Sequence, residues 1–140
     1  MRVYIDDLLA TAEMLLGGEG ALGHTNGTPG SAGRAGRSSH SRGAAFALRS
    51  AVELSVAARI GAHVVTGRLS QRAAFLWLRG CADAETARRA KAVWSQLCVG
   101  CHYHQYEIGP TKDQVRAWHA EVVTVVALLA PPTSAMRPAP

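Results

Sequence analysis

Five apolar side chains, Val115, Trp118, Val122, Val125 and Leu129, recur at alternating spacings of three and four residues between Thr111 and the Pro131-Pro132 pair. That period belongs to one face of an α-helix, and a stripe this narrow is buried by packing against other helices. Thr111 and Gln114 resemble a capping box at the start of the helix, and the two prolines end it. No stretch of the chain alternates with a period of two, so no strand competes. The fold expected is all-α: an up-and-down bundle of four to five helices.

Four further helices are read from the same signals. Ile5, Leu8, Leu9, Ala12, Leu15 and Leu16 place a first helix over residues 3–16, stopped by Gly17-Gly18. Ala45, Leu48, Val52, Val56, Ile60 and Val64 place a second over 44–65, with Arg49 and Glu53 as a helix-spaced ion pair. His63 near its end is expected to be partly buried and hydrogen-bonded. Ser70 can cap a short helix over 71–79, where Ala74, Leu76, Trp77 and Leu78 supply bulk and Cys81 follows in a turn. Asp83 can cap a fourth helix whose seam of Ala87, Ala90, Trp94, Leu97, Cys98 and Cys101 carries it to about Tyr106. Between the first two helices, residues 17–43 are rich in Gly, Ser and Thr and read as a flexible linker. The chain then divides into an N-terminal helix of the bundle (1–16), the linker (17–43), the bundle core (44–130) and a Pro-rich tail (131–140).

At 140 residues the chain suffices for one modest core. The formal charge of +5 is compatible with an acidic partner such as nucleic acid without requiring one, and Arg34, Arg37 and Arg42 would spread part of it over the linker. Acidic residues at Asp6 and Asp7 interrupt what a signal peptide would need, and the apolar run over 122–130 is about half a membrane span. A cytoplasmic protein without a membrane partner is expected, with its three cysteines as thiols.

The run from Trp94 to Thr111 holds two of the three cysteines, two of the six histidines and two of the three tyrosines. Cys98, Cys101 and His102 match the spacing that attaches c-type haem, but an export signal is lacking and both cysteines continue an apolar helical seam. The same three residues, with His104 or His119, could supply zinc ligands, although no second cysteine pair exists. Acid–base chemistry on RNA is the third reading: His102 and His104 as an imidazole pair, Tyr106 as an orienting donor, and Arg88 or Arg89 as a charge stabiliser. Against it stands a structural reading in which His102, His104, Tyr106 and Glu107 form a hydrogen-bonded plug at the helix end.

The segment Cys101-His102-Tyr103-His104-Gln105-Tyr106-Glu107-Ile108-Gly109-Pro110-Thr111, followed by Trp118-His119, resembles a group of small actinobacterial proteins of unassigned function. Residues 45–53, the Leu76-Trp77-Leu78-Arg79 helix and the helix order also resemble the HEPN superfamily, over about 44–129. This resemblance implies a homodimer and, in active members, a metal-independent endoribonuclease of toxin–antitoxin or defence systems, with RNA or a cognate antitoxin as partner. Active members carry an arginine and, four to six residues later, a histidine on a late helix. Here Arg34 and His40 have that spacing but fall in the linker, while Arg59 and His63, and Arg116 and His119, are too close. No residue is carried over as catalytic. The expectation is a HEPN-like, nucleic-acid-associated module with RNase potential at His102 and His104 and no cofactor, self-associating through the apolar faces of its last two long helices. The alternative is a non-catalytic interaction module with a structural histidine–tyrosine plug, and the minor alternative a metal or haem protein through Cys98, Cys101 and His102.

Overall fold

Helix α2 organises the chain, because it touches all four other helices. The computed structural model describes residues 1–17, 32–61, 69–102 and 109–131, the side chains of 32–38 excepted. It contains α1 (Arg2–Gly17), α2 (Ala32–Gly61), α3 (Gln71–Cys81), α4 (Ala84–Cys101) and α5 (Lys112–Leu129), and no strand among the described residues. The all-α bundle read from the sequence is what forms.

Residue pairs set the directions. Leu15 meets Gly43, while Leu8 and Leu54 line one groove, so α1 and α2 run antiparallel. Glu53 meets Trp94 while Arg42 reaches Cys101, so α4 runs antiparallel to α2. Gly100 meets Trp118 while Arg89 meets Glu121, which turns α5 back along α4. Arg116 reaches Leu16 at one end of α1, and Ile5 shares a cleft with Leu129 at the other, which closes the ring. The result is a four-helix up-and-down bundle of α1, α2, α4 and α5, with α3 packed on α2 and α4. Its core explains the composition of α2. Ala44, Ala45, Ala47 and Ala51 are buried beside Leu48, Val52 and Val56, and these small side chains let several helices approach one axis closely.

Helix boundaries follow the caps. Ser70, Asp83 and Thr111 each accept a hydrogen bond from the backbone N–H three residues on, starting α3, α4 and α5. At the other ends, arginines from neighbouring helices close exposed carbonyls. Arg116 donates to Leu16 O at 3.5 Å, Arg59 to Cys81 O at 3.0 Å and Arg42 to Cys101 O at 3.1 Å. Neither α1 nor α4 has a basic residue in its own last turn, so these borrowed cations supply the charge that a helix C-terminus favours.

Four expectations need correction. The second helix begins at Ala32 and not at Ala44, about three turns earlier, so the segment read as a linker contributes helix. Extending a helix that burial has already nucleated needs no new nucleus, and Pro29 is the last proline before it. The fourth helix ends at Cys101, short of Tyr106, where His102 N–H is shared between Cys98 O and Val99 O, each at 3.2 Å. On α3 the helical period turns Ala74, Phe75 and Leu78 inward, leaving Leu76 and Trp77 exposed, and Cys81 is the last residue of the helix. Finally, Ala87, Ala90 and Leu97 of α4 and the whole Val115–Leu129 stripe of α5 are buried inside one chain. Those stripes pack within the chain, while Val99, Val123 and Leu128 of the same two helices stay exposed. His63 lies outside the described residues.

Candidate functional site

The C-terminal end of α4 meets the middle of α2 in a connected set of polar side chains. Trp94, Cys98, Cys101 and His102 fall on one edge of α4 because their spacings of four, three and one follow the helical period. The antiparallel α2 presents Glu53, Arg49 and Arg42 to that edge in reverse order.

Glu53 Oε1 accepts two hydrogen bonds, from Arg49 Nε at 2.9 Å and from Trp94 Nε1 at 2.9 Å. Arg49 Nη1 then lies 3.1 Å from His102 Nε2. An arginine has only donors, so in this hydrogen bond Nε2 is the acceptor. The hydrogen bond to Glu53 raises the Arg49 pKa above its ordinary value, with burial opposing it. Burial pushes both the Cys98 and Cys101 thiols up from their usual range, and the neighbouring Arg49 charge offsets part of this. Cys101 is buried, at 5% exposure, and Cys98 is half-buried. A porphyrin bound through both would have to unpack the helix end.

Of the residues proposed for catalysis, the described ones, His102, Arg88 and Arg89, are not brought together. His102 is exposed and adjoins Arg49, but its Nε2, the atom a general base would use, already accepts from that arginine. Arg88 is bound twice by Glu85, at 2.9 and 2.6 Å, and Arg89 twice by Glu121, at 2.8 Å in each bond. Both stand at the start of α4, about 20 Å along the helix from His102. His104 and Tyr106 lie outside the described residues, as does Glu107 of the expected plug. His119 is on α5, where its Nε2 is buried without a hydrogen-bond partner among the described residues. No group of three His, Cys, Asp or Glu side chains among the described residues is placed to hold a metal ion.

Arg49, Glu53 and Arg42 are therefore the parts of this cluster that the sequence did not single out. The helix-spaced pair was visible, but its role across helices was not. A signal existed in Trp94: an indole N–H on a largely apolar seam needs an acceptor, and Glu53 supplies it. No helix among the described residues is long and apolar enough to cross a membrane. No protein family matches the chain, and neither a curated protein nor a solved structure does.

Proposed function

We propose that this chain is a HEPN-like helical module that binds nucleic acid through the N-terminal half of α2 without cutting it. The observation that carries the reading is the placement of charge. Arg34 and Arg37 stand on the same continuous helix as Arg42 and Arg49, which Cys101 O and Glu53 engage, and no acidic residue occurs from Gly20 to Val52. Positions read as linker from composition thus belong to the same helix as the buried segment that follows. Because Gly43 is level with Leu15 near the end of α1, and Arg42 with Cys101 at the end of α4, α2 continues about 15 Å past both. A basic helix that extends past the other described helices can follow a phosphate backbone, which attracts arginine regardless of sequence.

Binding is favoured over catalysis by the state of the polar cluster. Four of its members are bonded to one another: Arg49 to Glu53 and His102, and Glu53 to Trp94. Such a network ties α2 to α4 and fixes the base of the basic helix. The test is to incubate end-labelled single- and double-stranded RNA with the protein in EDTA and follow retention and integrity together. Retained, intact RNA is expected, both for wild type and for the His102→Ala/His104→Ala double variant. Cleavage by wild type that is lost in the double variant would replace this reading with a ribonuclease.

A second reading, a protein-interaction module, is favoured by one surface. Tyr4, Leu8 and Thr11 share a face of α1 and line an open apolar groove with Met1 and with Leu54 of α2. Tyr4 is 69% exposed there. Association through this groove would show as a concentration-dependent sedimentation coefficient that Tyr4→Lys abolishes.

A further inference from the structure

We propose that Cys98 and Cys101 form a reversible modification site, a dithiol that low-molecular-weight disulfides such as glutathione disulfide convert to an intramolecular disulfide in the last turn of α4. The two thiols are three residues apart on one helical edge, which sets their Cβ atoms about 5–6 Å apart. A disulfide requires about 3.5–4.5 Å between Cβ atoms, so the turn has to close by roughly 1–2 Å. The pair sits in the last turn of α4, where the backbone can rearrange without disturbing helix beyond it. His102 N–H divides its hydrogen bond between the fourth and third preceding carbonyls, Cys98 O and Val99 O.

Exposure divides the work between the two sulfurs. Cys98 is half-buried and can be reached from solvent, whereas Cys101 is buried beneath it. Cys98 Sγ attacks one sulfur of glutathione disulfide, forming a mixed disulfide and expelling one glutathione thiolate. Cys101 Sγ then attacks Cys98 Sγ, forming the internal bond and expelling the second glutathione. The protein loses two electrons, the glutathione disulfide gains them, and the two thiol protons finish on the two glutathiones. Burial pushes both thiols up, so the attacking thiolate is scarce at neutral pH and the exchange should quicken as pH rises. Cys81 takes no part. It ends α3 beside the start of α4, about 25 Å from the dithiol along that helix.

The test is intact-mass analysis of the full chain after incubation with excess glutathione disulfide, acid quench and alkylation of the remaining thiols. Wild type should lose two hydrogens and keep one alkylatable thiol, at Cys81, and the Cys81→Ala variant should oxidise equally. Cys101→Ala should stop at the mixed disulfide on Cys98, and Cys98→Ala should remain unmodified at Cys101. Circular dichroism of both variants establishes that they are folded. Three alkylated thiols in wild type, a disulfide involving Cys81, or linkage only between chains would each overturn the proposal.

Discussion

Gly100 and Gly80 both lie within helices, yet Ala should act on them with opposite signs. Glycine in a helix interior is less favourable than alanine by about 1 kcal/mol, and nearer the ends by less. A Cβ on Gly80 of α3 would meet nothing within 4 Å, so Gly80→Ala should stabilise by about 0.5 kcal/mol. A Cβ on Gly100 of α4 would stand 2.7 Å from Trp118 Cζ3 and 3.0 Å from Cη2, with Pro110 Cγ at 3.6 Å. Carbon atoms pack at about 3.5–4.0 Å, so the indole has to retreat by nearly 1 Å. Trp118 is itself buried, at 9% exposure, and overpacking of this kind costs about 1–3 kcal/mol. Steric cost therefore exceeds propensity gain, and Gly100→Ala should destabilise by about 1 kcal/mol. Urea unfolding followed by circular dichroism reads both variants. In a Trp118→Phe background, which lacks the clashing atoms, Gly100→Ala should become neutral or stabilising. Equal cost in both backgrounds, or stabilisation in wild type, would refute the packing argument.

Other substitutions test the helix contacts. Glu53→Ala should destabilise by about 1–3 kcal/mol, because it strands both the Trp94 indole N–H and the Arg49 guanidinium. Glu53→Gln, which can still accept from Trp94, should lose less in the same urea titration. Thr111→Ala should cost about 1 kcal/mol through the lost cap of α5, with Thr111→Gly milder. The hydrogen bonds from Arg89 hold the Glu121 carboxyl below its ordinary range. Their contribution is therefore complete above the unfolded carboxyl's value of about 4.3 and is lost as pH falls through the lower folded value. The melting-temperature advantage of wild type over Glu121→Gln should accordingly shrink below about pH 4. A constant difference down to pH 2 would contradict the linkage.

The bundle was legible because burial and periodicity coincide. All five stripe positions of α5 are inside, as are Ile5, Ala12 and Leu16 of α1. Caps were equally readable, since Ser70, Asp83 and Thr111 act locally. The start of α2 was not, because residues 32–40 have almost no large apolar side chain and read as linker by composition. Their helicity depends on continuity with the buried segment that follows. The cluster at the end of α4 was half legible. Cys98, Cys101 and His102 were adjacent in sequence, whereas Arg42, Arg49 and Glu53 join them only through antiparallel packing, across some forty to sixty residues of chain. Arg88 and Arg89 illustrate the reverse error. Two arginines on the helix of interest looked available, but Glu85 and Glu121 occupy them at its far end.

The claim that arginines arrayed on α2 grip a phosphate backbone is tested most directly by the salt dependence of RNA binding. Fluorescence polarisation of a labelled single-stranded RNA across a series of salt concentrations gives the slope of log K against log salt. Each phosphate neutralised on a single strand contributes about −0.7 to that slope, so Arg34→Ala/Arg37→Ala should make it shallower by about 1.4. Binding that is undetectable at low salt, or a slope unchanged in the double variant, would contradict the account.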